Sequence, residues 1–242
     1  MLNAILREFL VRTAAAAGAD LTLEDVEKFS KYGDLLLEWN KIMNLTAVTD
    51  EREIVLKHYI DSITILPYLD RICCKTFIDI GTGAGFPGIP VKILRPDINV
   101  VLLDSLGKRV NFLNIVISEL GLKEIRAVHM RAEDGGKSQN YRENFDFCVS
   151  RAVASLDVLS EYCLPFVKVG GYFISMKGPA VFEEAEKGER AIEVLGGKLE
   201  EIREIDVPFV EGKRYAAVIR KIGKTPEKYP RKAGKAAKSP IK

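Results

Sequence analysis

Apolar positions recur along this chain with two periods, helical at the front and strand-like further on. In residues 2–17, Leu2, Ile5, Leu6, Phe9 and Leu10 fall on one helical face, and Gly18 stops the pattern. Thr22 then caps a second helix, with Asp25 three residues on and an apolar side of Val26, Phe29, Tyr32, Leu36 and Trp39. Asn44 reads as a helix-ending or loop residue, and residues 46–49 as a turn. A third helix is expected over about 51–66, carrying His58 and Asp61 on adjoining turns.

From Lys75 onward the pattern becomes alternating strand and helix. Strands are expected over 76–80, 99–103, 126–129, 145–149 and 172–176, with helices over about 87–94, 108–120, 156–167 and 180–195. Two closing strands, about 198–206 and 215–221, have only the turn 208–213 between them. That is too short for a crossover helix, so they form an antiparallel hairpin. Five parallel strands plus a terminal antiparallel hairpin predict an α/β, Rossmann-like sheet of the class I methyltransferase type. Residues 1–70 form an N-terminal helical extension packed on the core, residues 71–222 the sheet domain, and residues 223–242 a tail. With Pro226, Pro230 and Pro240, that tail reads as loosely ordered.

The stretch from Phe77 to Gly88 organises this pattern. A short buried strand runs into Gly81, Gly83, Gly85 and Gly88, and Pro87 suits the first turn of the next helix. Strand, glycine loop and helix make the first crossover of a nucleotide-binding sheet. Gly83, Gly85 and Gly88 satisfy the dinucleotide fingerprint, while Gly81, Gly83 and Gly85 give G-x-G-x-G with Asp79 two residues ahead. Asp104 closes the second strand, where a carboxylate accepts both hydroxyls of an adenosyl ribose. NAD and S-adenosylmethionine share that requirement. Asp79 leans toward the second, because a carboxylate repels a pyrophosphate and tolerates an ammonium and a sulfonium.

Composition adds bounds. At 242 residues and 47% hydrophobic, the chain supports one sizeable core. No apolar run reaches the length of a membrane span, and Arg7, Glu8 and Arg12 interrupt any secretory pattern, so a cytoplasmic protein is expected. Cys73, Cys74, Cys148 and Cys163 have no metal-binding spacing, and His58 and His129 lie far apart; no metal site is expected, and the thiols read as reduced. Nothing demands more than a monomer. The net charge of +2 hides an asymmetry: residues 221–242 hold eight bases and one acid, leaving 28 bases and 33 acids in the other 220 residues. Such a basic terminus is a common nucleic-acid contact.

In a doubly wound sheet the ligand sits outside the carboxyl ends of the strands. Those ends supply Gly81–Phe86, then Asp104, Ser105 and Leu106, then Arg131, Ala132, Glu133 and Asp134, then Ser150 and Arg151, then Lys177 and Gly178. The adenosyl group would use the first three, with Phe86 or Leu106 against the adenine and Ala132 and Glu133 at its polar edge. Taken singly, Glu133 and Arg151 read as solvated loop charges; on one sheet edge they read as a site.

These residues reach a recognisable family. Trp39-Asn40 with Asn44-Leu45-Thr46, His58-Tyr59-Ile60-Asp61-Ser62, the 79–88 loop, Leu103-Asp104-Ser105 with Lys108-Arg109, Arg131-Ala132-Glu133-Asp134, Ser150-Arg151-Ala152-Val153, Lys177-Gly178 and the tail's 228–234 carry the match. The chain resembles the bacterial small-subunit ribosomal RNA guanine-N7 methyltransferases, the glucose-inhibited division protein B family. Thr82 stands where many members carry serine. The resemblance implies S-adenosyl-L-methionine bound near Gly81, Phe86, Asp104 to Leu106, Ala132, Glu133 and Arg151. It also implies a guanine in a decoding-region hairpin of 16S ribosomal RNA, or of the small subunit, as substrate. Asn44, His58, Asp61 and Arg151 are the candidates for positioning that guanine. Arg131, Lys177, Lys228, Arg231, Lys232 and Lys235 are nominated for RNA contact.

The chemistry agrees. Guanine N7 has a free lone pair and no proton to lose, so in-line placement suffices and no general base is needed. The chain has no Asn/Asp-Pro-Pro-aromatic element after its fourth strand and no Pro-Cys element there. The competing readings are an NAD(P)-dependent oxidoreductase, a non-catalytic RNA-binding or assembly protein, and a small-molecule methyltransferase, which the basic tail disfavours. No Tyr–Lys or His proton donor with the spacing an oxidoreductase requires is visible.

Overall fold

In the computed structural model, which describes residues 2–151, 153–210 and 212–242, the chain begins with helices α1 (Ala4–Ala16) and α2 (Leu23–Met43). Ala152 of the Ser150–Val153 motif and Glu211 of the last turn lie outside the described residues, as does Met1. The expected capping box is present: the Thr22 hydroxyl accepts the Asp25 amide, and the Asp25 carboxylate accepts the Thr22 amide. Asn44 ends α2 in the left-handed conformation, φ 50° and ψ 54°, which asparagine tolerates better than most residues.

The expected third helix is interrupted. A first turn, α3 (Glu51–Ile54), opens into a π-helical segment, Val55–Ile60, before α4 (Asp61–Ile63) and the separate helix α5 (Leu66–Arg71). The wider π turn carries His58 and precedes Asp61, and such turns recur at functional sites.

The sheet follows. Its elements are β1 (Thr76–Ile80), α6 (Gly88–Leu94), β2 (Asn99–Asp104), α7 (Gly107–Glu119), β3 (Ile125–His129), α8 (Ala132–Gly135), β4 (Phe145–Arg151), α9 (Leu156–Cys163), β5 (Val167–Lys177), α10 (Val181–Val194), β6 (Gly197–Ile205) and β7 (Arg214–Lys221). A last turn of helix, α11 (Lys235–Lys238), lies in the tail. The seven strands run β3-β2-β1-β4-β5-β7-β6, with the first five parallel and β7 antiparallel to both neighbours. The order reverses between β1 and β4, and a doubly wound sheet opens its binding crevice at such a point.

Two boundaries differ from the sequence pattern. The helix expected over 156–167 stops at Cys163, because Pro165 has no amide to extend the helical ladder beyond the Leu164 N–H, and a short 3-10 turn, Leu164–Phe166, follows. Strand β5 starts at Val167, five residues ahead of the expected 172. Its partner β4 shifts register between Phe145 and Phe147, and Gly170 takes a φ of +93° there.

Side chains alternate across the sheet. Phe77, Val100, Leu102 and Phe147 face a core shared with the front helices, including Phe29, Tyr32, Leu36 and Tyr59, and with α6 and α7. Ile78, Ile80, Val101 and Cys148 face a second core built from α9, α10 and two tail residues, Tyr229 and Ile241. The front helices therefore cover one face of the sheet, and they bring His58 and Asp61 to the crevice at the β1–β4 reversal.

Candidate cofactor and acceptor site

The glycine loop leaves β1 under tight constraint. Gly85 has φ +104°, and a Cβ there would lie 2.5 Å from Ile89 Cδ1 and 2.7 Å from the Tyr32 hydroxyl, which itself donates to the Ala84 carbonyl at 2.5 Å. Gly83 has φ +62° and faces open space, so its backbone is approachable. Asp79 sits beneath the loop, wholly buried. Its Oδ2 accepts the Thr82 hydroxyl at 2.7 Å and the Gly88 amide at 3.0 Å; threonine serves here as serine would. Its Oδ1 is buried with no partner among the described residues. Burial pushes this carboxyl up to about 7, against the pull of the Thr82 and Gly88 hydrogen bonds.

Asp104 ends β2 and is almost fully buried. Its Oδ2 accepts the Gly83 amide and its Oδ1 the Leu106 amide, each at 2.9 Å, and Arg109 lies 3.5 Å away. A carboxylate offers about four acceptor positions, so two remain for a pair of hydroxyls. Beside it opens a pocket of about 210 Å³, lined by Gly81, Ser105, Arg131, Ala132, Glu133, Tyr162 and Gly234. Leu106 is half-exposed beside Ser105. The Phe86 ring is not among the residues lining this pocket. It is buried against His58 (4.5 Å between ring centroids), Tyr32 and Tyr59, and Leu106, though half-exposed, is not among the lining residues either.

Across the loop lies a second cleft of about 360 Å³ at the ends of β4 and β5. Arg151 organises it. Its guanidinium donates to Asp61 Oδ2 at 2.7 Å and to the Lys57 carbonyl at 3.0 Å, and lies over the Phe86 ring at 5.4 Å. The Lys57 carbonyl is turned this way within the π segment. His58 stacks on Phe86, and its Nε2 meets the Thr46 hydroxyl at 2.8 Å. Burial, reinforced by the Arg151 charge, lowers His58 to about 4, so the imidazole is neutral near pH 7.

The structure thus brings together His58 and Asp61, Phe86, and Arg151, from three places in the sequence. Asn44 is not in this cluster; it is exposed at the end of α2 and connects to it only through the Thr46 loop. Sequence reading did not single out Thr46 itself, the Lys57 carbonyl, or Arg214, whose Nε lies 3.9 Å from Asp61 Oδ1. Thr46 lies in a stretch noted for its resemblance, so a signal existed. The other two depend on the π turn and the hairpin register.

Two nominated RNA contacts are otherwise engaged. Lys177 is nearly buried, pairs with Glu184 at 2.7 Å and donates to the Ala154 carbonyl, so its ammonium is held inside the fold. Arg231 grips the buried Glu161 carboxylate through its Nε at 3.0 Å and Nη2 at 2.6 Å. The tail is not loose: Tyr229, Ala236 and Ile241 are buried, and Gly234 donates its amide to Glu133 Oε1 at 2.9 Å. The proline content suggested disorder, but the anchoring groups lie elsewhere in the chain. Arg131, Lys228, Lys232 and Lys235 remain exposed.

Strand order, glycine loop and strand-tip acids together define a class I, Rossmann-like methyltransferase. Solved structures agree on the fold: the chain superposes on NSun6 from Pyrococcus horikoshii with a TM-score of 0.52 at 13% identity, over 68% of this chain and 52% of that one. The family model described as rRNA small subunit methyltransferase G (GidB) matches residues 25–210, and the chain belongs to that family. Curated relatives named ribosomal RNA small subunit methyltransferase G include one from Desulforamulus reducens, 57% identical over 92% of each chain. Another, from Acetivibrio thermocellus, is 55% identical over 98% of this chain and 97% of that one. Among the described residues, no helix is long and apolar enough to cross a membrane.

Proposed function

We propose that the protein transfers a methyl group from S-adenosyl-L-methionine to N7 of a guanine in the decoding-region hairpin of 16S ribosomal RNA. The observation that carries the cofactor reading is the buried Oδ1 of Asp79 under the glycine loop, an oxygen with no partner among the described residues. An ammonium suits such an oxygen, whereas a pyrophosphate would be repelled by it, which disfavours the nicotinamide reading. Asp104 would hold the ribose hydroxyls, Glu133 and Ala132 the adenine edge, and Arg151 the amino-acid carboxylate.

The bound cofactor supplies an electrophilic methyl on a sulfonium. The chain's own residues then need only to bind, orient and exclude water. Guanine N7 presents a lone pair, so no side chain has to remove a proton. The neutral His58 and Asp61, the latter held by Arg151, line the acceptor cleft and would place the base rather than do acid–base work. Arg131, Lys228, Lys232 and Lys235, all exposed, would meet phosphates of the RNA. Incubating small-subunit RNA that lacks its native modifications with labelled cofactor tests this directly. Label at a single guanine N7 is expected; label on another atom, or none, would refute the assignment.

The Asp79 environment adds a measurable linkage. A carboxyl raised to about 7 in the folded state contributes stability that is complete below its ordinary value of 3.8 and is lost as pH rises through about 7. A cation bound at Oδ1 favours the ionised form and lowers that value. Cofactor binding near pH 7 should therefore release protons, visible by calorimetry in buffers of different ionisation enthalpy. The Asp79→Asn variant should bind without that release.

A further inference from the structure

The C-terminal segment does more than carry charge. A set of polar anchors fixes it against the sheet domain, among them the Thr225 hydroxyl, which donates to the Leu195 carbonyl at 2.9 Å. The Arg142 guanidinium donates to the carbonyls of Thr225 at 2.7 Å and Tyr229 at 2.8 Å, while also holding the Gly136 carbonyl at 2.7 Å. The Thr225 amide donates to Glu143 at 2.8 Å. Glu161, only 1% exposed, accepts both the side chain and the amide of Arg231, the latter at 2.7 Å. The last anchor is the Gly234 amide on Glu133 Oε1.

That last contact matters most, because Gly234 lines the same pocket as Gly81, Ser105, Ala132 and Glu133. Gly234 takes φ +75°, a left-handed conformation that needs glycine, and in this conformation its amide meets the carboxylate. Glu133 is only 6% exposed, and while its Oε1 takes the Gly234 amide the side chain lines that pocket. A single buried carboxylate is thus shared between the tail and the pocket.

We infer that residues 224–242 form the outer wall of the adenosine pocket, and that tail docking and cofactor binding stabilise each other through Glu133. The inference rests on the proposed cofactor. Arg231 and Gly234 are then positioning residues for Glu133, and the exposed lysines project from the outer side of that wall. Coupling of this kind is reciprocal: whatever the docked tail adds to cofactor affinity, bound cofactor adds to tail docking.

Two full-length variants test it, with S-adenosylhomocysteine as the probe. Arg231→Ala removes the guanidinium's grip on Glu161 and keeps the amide contact, and Arg142→Ala removes the grip on the 225–229 carbonyls; circular dichroism checks that each keeps its fold. Each is expected to weaken probe binding about tenfold by calorimetry, while Lys238→Ala leaves it unchanged. Hydrogen exchange at the amides of residues 231–236 should slow when the probe is added to the unaltered chain. Unaltered affinity in both folded variants, or unaltered exchange at these amides, would overturn the inference. An unaltered chain that does not bind the probe at all would instead remove the cofactor reading on which it rests.

Discussion

Replacing Arg151 by alanine is expected to lower methyl transfer by at least about 100-fold, a barrier increase of about 2.7 kcal/mol. One guanidinium fixes the Asp61 carboxylate, the Lys57 carbonyl of the π turn and the face of Phe86. Its loss leaves Asp61, 7% exposed, with the Arg214 guanidinium at 3.9 Å as its remaining cationic partner among the described residues. Breaking one side of a buried pair commonly costs about 3 kcal/mol or more, so the melting temperature should fall as well. The two effects separate by design. The double variant Arg151→Ala with Asp61→Asn removes the orphaned charge and should recover much of the stability but none of the rate. Arg151→Lys should rescue poorly, since an ammonium cannot reproduce the planar fork or the stacking on Phe86. A kcat/KM near the unaltered value in Arg151→Ala would take this residue out of the site.

The second large effect is expected at Gly85. Alanine there must adopt φ +104° and place its Cβ within 2.7 Å of both Ile89 and the Tyr32 hydroxyl. Both neighbours are themselves buried, and Tyr32 is tied to the Ala84 carbonyl. Strained backbone and overpacking each cost on the order of 1–3 kcal/mol, and they act here on one loop. A stability loss of about 3 kcal/mol is expected from urea unfolding, together with loss of cofactor binding. Alanine at Gly83, where a Cβ meets open space, should keep much of the stability yet crowd the cofactor.

The strands were legible because buried strands concentrate β-branched and aromatic residues between glycine stops, as in 76–80 and 99–103. The glycine loop and the acids at its neighbouring strand tips were legible because their spacing is local. What escaped was set by distant partners. Arg151 and Asp61 lie 90 residues apart. The π segment keeps an ordinary helical pattern in sequence, yet its wider turn exposes the Lys57 carbonyl to Arg151. Lys177 looked like a free cation at a strand end until α10 placed Glu184 beside it. The tail's prolines and lysines suggested a loose terminus, because Arg142, Glu161 and Glu133, which fasten it, come from three separate elements. Phe86 follows the glycine loop in sequence, but the direction of its ring depends on packing against Tyr32 and Tyr59, which lies outside the reach of local pattern.

The account depends on a glycine loop and strand-tip acids shaped for a cationic adenosyl ligand. Calorimetric titration of the unaltered chain and of Asp104→Ala with S-adenosylmethionine, and of the unaltered chain with NADH, tests it most directly. The account predicts saturable binding of S-adenosylmethionine to the unaltered chain, at least about tenfold weaker binding to Asp104→Ala, from the loss of a charged hydrogen-bond acceptor, and none of NADH. Binding of NADH in its place, or S-adenosylmethionine binding indifferent to Asp104, would contradict it.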